Sequence, residues 1–189
     1  MSDTGWIRGG TVVNDNTVGG DNSWGNPSSA IDGDLETNYS SNLIPGTEYT
    51  QYLKVTNFGF NIPFNSIIDK ISVQIYQSRY GAGGSEDGYI RLVKDGSLSG
   101  DNVADAVIWF HSGYKEWSGD DYSLWGNTFD LEDINNSNFG VAISGYANGS
   151  SEDTLGFKIS DVQIKVYYTK GETPIIGSKY PLPAFKIIS

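Results

Sequence analysis

Asp161-Val162-Gln163-Ile164-Lys165-Val166-Tyr167-Tyr168 sets Val162, Ile164, Val166 and Tyr168 on one side of an extended chain and Asp161, Gln163, Lys165 and Tyr167 on the other. Successive strand residues point to opposite faces, so a period of two describes a strand with one side in a core and the other toward water. The alternation runs through residues 155–168, the longest in the chain. The same period recurs upstream. Phe139, Val141 and Ile143 share a face; Ile71, Val73 and Ile75 alternate with Ser72, Gln74 and Tyr76; Leu53 and Val55 interleave with Tyr52, Lys54 and Thr56. Residues 89–94 and the apolar run 107–110 read as further strands. Lys94-Asp95-Gly96-Ser97 carries the Asp-Gly signal of a two-residue hairpin turn.

No amphipathic helix separates these strands. The one helical turn expected lies within residues 131–138, where Asp130 can cap it. The glycine-rich residues 81–88 read as a long hairpin loop, and residues 113–127 as an aromatic-rich loop. Strands at this spacing predict an all-β fold, an antiparallel β-sandwich of jelly-roll type with extended terminal arms. The first 50 residues, rich in Gly, Asn, Ser, Asp and Thr, read as loop or short edge strand. The expected organisation is an N-terminal extension over residues 1–23, a sandwich domain over 24–169 and a C-terminal arm over 170–189.

Composition agrees with this class and excludes several functions. Of 189 residues, 13% are aromatic and only 19% charged, with 24 glycines, a balance suited to pleated sheets and tight turns. A net charge of −11 leaves no basic footprint for phosphate, so nucleic acid is not an expected partner. With no cysteine, a disulfide framework, a zinc ribbon and thiol catalysis are all excluded. No run approaches the 18 or so apolar residues of a membrane helix, and the first 20 residues lack the basic start and apolar stretch of an export signal; membrane insertion is not expected. The arm differs in charge: Lys170, Lys179 and Lys186 against Glu172 give +2, which leaves −13 on the rest. Pro174, Pro181 and Pro183 stiffen it. Its apolar residues Tyr180, Pro181, Leu182, Phe185, Ile187 and Ile188 are candidate assembly contacts, in cis or on a neighbouring copy.

Few constellations carry chemistry. Asp32, Asp34 and Glu36 stand at alternate positions, a spacing that can converge on calcium, which accepts six to eight oxygens in loop geometry; a solvated turn has the same sequence. His111 is the one histidine and no Gly-x-Ser-x-Gly motif accompanies it. The acidic pairs are scattered through predicted loops, so none stands out as a glycosidase pair. No catalytic residue is assigned and an enzyme is not expected. Tyr114, Trp117 and Tyr122 are the candidate ligand-binding residues, because aromatic faces stack on sugar rings and loops at a sandwich edge carry recognition. Trp109 and Trp125 are read as core plugs.

Several strings resemble a known module. Trp24-Gly25-Asn26-Pro27, Tyr52-Leu53-Lys54-Val55-Thr56-Asn57-Phe58-Gly59-Phe60, Ile67-Ile68-Asp69-Lys70-Ile71-Ser72-Val73-Gln74-Ile75, Leu124-Trp125-Gly126 and Asn138-Phe139-Gly140-Val141-Ala142-Ile143 are similar to a β-sandwich module of bacteriophage tail and other virion-surface proteins. Ile90-Arg91-Leu92-Val93-Lys94-Asp95-Gly96 and Val162-Gln163-Ile164-Lys165-Val166-Tyr167-Tyr168 extend the likeness, which covers residues 24–169. It implies a non-enzymatic structural protein on a virion or extracellular surface, a decoration, tail or filament component. Its partners would be other copies of itself and other virion or appendage proteins. A second, shorter likeness, Ala30-Ile31-Asp32-Gly33-Asp34-Leu35-Glu36-Thr37-Asn38-Tyr39, is to discoidin and galactose-binding-like sandwiches, with Tyr39 where those domains carry tryptophan. It implies the alternative of a carbohydrate-binding module or adhesin that holds cell-surface glycans through aromatic loops, with calcium as its one candidate cofactor.

Overall fold

A computed structural model describes residues 1–17, 20, 22–35, 40–45, 48–80, 84–105, 112–118, 123–148 and 154–171. In chain order the elements are β1 (Ser2–Asp3), β2 (Ile7–Arg8), β3 (Thr11–Asp15), a 3₁₀ turn (Pro27–Ala30), β4 (Ser40–Pro45), β5 (Tyr52–Thr56), β6 (Ile67–Tyr80) and β7 (Gly84–Lys94). There follow β8 (Ser97–Ser99), β9 (Gly113–Trp117), α1 (Leu131–Asn135), β10 (Gly140–Asn148) and β11 (Thr154–Thr169). They form two antiparallel sheets. One runs β1-β11-β6-β9, with β2 and β4 also laid along β11; the other runs β3-β5-β10-β7-β8.

The long alternating stretch is β11, and its pairing with β6 is the backbone of the first sheet, running from Gly156 opposite Tyr80 to Thr169 opposite Ile67 with register shifts between Ile159 and Asp161 and between Tyr167 and Tyr168. Ile71, Val73 and Ile75 of β6 and Val162, Ile164 and Val166 of β11 are fully buried. Leu53, Val55, Ile90, Leu92, Val141 and Ile143 of the second sheet are buried with them in one cluster. Each such side chain contributes ~1.5–3 kcal/mol on leaving water, which is why the stripes fix the pairing register. Aromatic rings close the ends: Trp125 is 2% exposed, and its indole N–H donates to the Ile71 carbonyl at 3.0 Å.

Local chemistry sets the turns. Asp95 and Gly96 take φ of 48° and 77°, the left-handed pair required between β7 and β8. Asp130 accepts from the Asp133 N–H while Asp133 accepts from the Asp130 N–H, a reciprocal cap on α1.

Three expectations differ from the structure. Residues 1–15, expected as part of an extension, lie in both sheets: β1 and β2 pair with β11, and β3 is the edge strand beside β5. Residues 113–117, expected as loop, form β9 on the edge of the first sheet, opposite Val73 to Gln77. The loop expected over residues 81–88 is shorter, because β7 already begins at Gly84, opposite Asn148 of β10. The strand expected over 107–110 and the arm beyond Gly171 lie outside the described residues.

Candidate functional site

The two described aromatic candidates sit on one strand and point opposite ways. In β9 the register places Trp117 beside Val73 and Lys115 beside Ile75, both inward, while Tyr114 lies beside Tyr76 on the outer face. Trp117 is 5% exposed and belongs to the core cluster, so no ring face is free to stack on a sugar. That corrects its reading as a recognition residue. Tyr114 remains 42% exposed, with its ring edge-on to Tyr76 at 5.0 Å. Its hydroxyl is committed: it donates to Asp161 Oδ2 at 2.7 Å. Burial, then this bond, pushes the phenol up to about 12, so it donates and does not act as a base. Tyr122 lies outside the described residues.

Asp161 is fully buried on the outer face of the first sheet, beside a bulge in β11. Arg8 grips it with Nε at 2.5 Å and Nη2 at 3.0 Å, Gln163 Nε2 joins these and Tyr114 as a fourth donor at 2.5 Å, and Gln163 in turn accepts from Gln74. The bond to Asp161 holds the guanidinium above its ordinary value. A buried carboxylate held by four hydrogen bonds is a clamp, which here fastens the N-terminal segment to β11 and β9.

Between the sheets lies a second ionic group. Lys115 Nζ reaches Asp87 Oδ2 of β7 at 2.5 Å, contacts Asp105 Oδ1, and sits 4.8 Å from the centre of the Trp117 ring. Burial pushes the Asp87 carboxyl up to about 7, against the pull of Lys115. Burial alone would raise Asp105 too, but its bonds with Lys115 and Asp87 hold it below the ordinary range. Two carboxyls driven apart beside a lysine resemble a general acid and its partner. The Asp87 side chain is however completely covered, and a group that no substrate touches cannot transfer its proton to one.

Asp32 accepts from the Asp34 N–H at 2.8 Å, an Asx turn at which the Cβ of any residue replacing Gly33 would meet the Arg8 guanidinium. Glu36 lies outside the described residues, and among those described no group of three acidic or histidine side chains could hold a metal. The candidate assembly residues Tyr180, Pro181, Leu182, Phe185, Ile187 and Ile188 likewise lie outside them.

Two surfaces were not anticipated. The outer face of the second sheet carries four tyrosines: Tyr49 stacks on Tyr146 at 4.6 Å and on Tyr89 at 5.2 Å, and Tyr52 lies beneath at 6.0 Å from Tyr89. Burial, then the Tyr89 hydroxyl, keeps the Tyr49 phenol above its usual value. Their spread over residues 49, 52, 89 and 146 hid them, since only cross-strand register brings them together.

The second surface is at one end of the sandwich, where the turn before β6 faces α1. Phe64 is 87% exposed and Ile67 66%. With Ile68, Phe129 and Leu131 they line a groove of about 470 Å³ whose rim carries the exposed Asp130 and Glu132. An adjoining hollow between Ile62, Phe64 and Asn135 extends it. Phe64 follows Pro63 at an exposed turn, and its signal in the sequence was an aromatic outside any alternation. No family model matches this chain, and no curated protein matches it.

Proposed function

We propose that this protein is a non-enzymatic structural component of a virion or extracellular surface assembly, a decoration, tail or filament part that associates with copies of itself and with neighbouring proteins. The observation that carries this reading is the Phe64–Ile67 groove. Large apolar side chains left 87% and 66% exposed side by side, rimmed by acids, mark a surface built to be covered by protein. The resemblance to phage virion-surface modules supports it, as does the acidic body, which keeps a densely packed protein soluble. Light scattering on the full chain tests it. Self-association is expected to rise with concentration and to weaken at least tenfold in F64S/I67S; a wild-type chain monomeric throughout overturns it.

The tyrosine face favours a second reading, glycan binding. Half-buried Tyr49, Tyr89 and Tyr146 offer ring surface and hydroxyls on an open sheet, where sugars stack. In this form of the alternative the recognition residues are these three, not Trp117. A glycan array run with wild type and Y89A separates the cases: binding lost in the variant supports it, and no binding by wild type removes it.

A further inference from the structure

We infer that the groove at Phe64 receives the C-terminal arm of a second copy of this chain, seated through Ile175 and Ile176. The inference rests on the assembly reading and names the occupant of its surface.

Position is the first argument. Beyond β11, Gly171 donates its backbone N–H to the Asn65 carbonyl at 2.9 Å, so the chain passes beside the turn that carries Phe64. Gly171, the last described residue, is therefore placed close to the groove, and 18 residues follow it in the sequence. When two copies meet with these ends facing about a two-fold axis, the root of each arm lies next to the partner's groove, and one contact is made twice.

Chemistry is the second. The groove wall is Phe64, Ile67, Phe129 and Leu131, and its rim is Asp130 and Glu132. The arm reads Glu172-Thr173-Pro174-Ile175-Ile176-Gly177-Ser178-Lys179, a β-branched apolar pair followed by a lysine. An extended strand of four residues covers roughly 13 Å, so a lysine four positions beyond Ile175 reaches a rim while the isoleucines fill the wall. The body bears −13 and the segment from Lys170 onward +2, so each arm is attracted to any copy's rim.

The hinge decides between the arm's own groove and the neighbour's. Three residues separate Gly171 from Ile175, and the third is Pro174, a residue type that locks its own φ and disfavours helical backbone in the residue before it. A short stiff hinge resists folding back and favours exchange between copies.

The absence of cysteine makes the test clean. E132C places a thiol on the rim and S178C one on the arm, leaving the isoleucines and Phe64 in place. Mixing the two single variants of the full chain under mild oxidation is expected to give a covalent heterodimer. In the double variant E132C/S178C a covalent dimer is expected; a crosslink closed within one chain at all dilutions, or no crosslink, overturns the inference. Light scattering separates the two levels. I175D/I176D and F64S are each expected to weaken self-association at least tenfold. Weakening by F64S alone refutes the arm as occupant and leaves the assembly reading standing; a monomeric wild type refutes both.

Discussion

Replacing Asp87 by asparagine is expected to remove a fall in stability between about pH 4 and pH 7. Asp87 is 5% exposed, and burial lifts its carboxyl from an ordinary 3.8 to about 7. The folded protein therefore holds that proton more tightly than the unfolded chain. Its stabilising effect is fully present below the unfolded value, is lost as pH rises toward 7, and is gone above it. About three pH units at ~1.4 kcal/mol each give a ceiling of roughly 4 kcal/mol, or about 10 °C in Tm at ~2–4 °C per kcal/mol for a chain of this size.

Asp15 acts in a different window. Burial alone would raise Asp15, but hydrogen bonds from Lys54 and Thr17 outweigh it and hold the group at about 2. Its contribution is present above its unfolded value and lost only as pH falls below about 4. The asparagine is nearly isosteric, cannot ionise, and leaves Lys115 its contact with Asp105. Thermal unfolding from pH 4.5 to 8 should show wild-type Tm falling and D87N nearly level. A slope owed to any other group would survive in D87N. A wild type that is level or rising over this range, or a variant with an unchanged slope, refutes the reasoning.

Two further outcomes follow from the same geometry. Arg8→Met strips Asp161 of its bidentate partner; removing one member of a buried pair costs ~3–5 kcal/mol, and with the Arg8 side chain 39% exposed about 2 kcal/mol is expected by urea unfolding, largely recovered when Asp161→Leu is added. Gly140→Ala is expected to cost ~3 kcal/mol or more, because the new Cβ would meet the Val55 carbonyl at 1.9 Å and Thr56 Cα at 2.9 Å, forcing β5 and β10 apart; a soluble variant with an unchanged urea midpoint would disprove that contact.

Strands that carry an apolar stripe on the inward side were legible: β5, β6, β10 and β11 declare themselves by period alone, and Asp130 and Asp95-Gly96 name their cap and turn. What escaped reading has specific causes. β1 and β2 are two residues each, too short to carry a period, and are recognised only because one edge of β11 needs partners. In β9 the inward position between Tyr114 and Glu116 is Lys115, so the strand lacks the apolar stripe that would have revealed it. The same alternation separates Trp117 from Tyr114, a distinction that a loop assignment erased. Asp87 faces inward because β7 gains a residue at Gly88 opposite the step from Ser144 to Gly145, and a bulge leaves no mark in composition. The ion groups and the tyrosine face join residues far apart in sequence, which only register can do.

Sheet faces and sheet end have been resolved by different means, and that difference directs attention to the end. On the first sheet's outer face, a buried carboxylate is satisfied by Arg8, Tyr114 and Gln163, and Lys165 lies over the rings of Trp6 and Tyr167. On the second, Tyr52, Val93 and Ala142 are buried under Tyr89 and Leu98 as a small outer cluster. Each face thus covers much of its apolar area with its own side chains. At the turn before β6 the chain does the opposite: Pro63 interrupts it, Phe64 points away from the core, and Ile67 opens β6 on the outer side, opposite Thr169. Leaving two such side chains in water forgoes ~3 kcal/mol or more of burial, an amount that a neighbour's side chains would recover on contact.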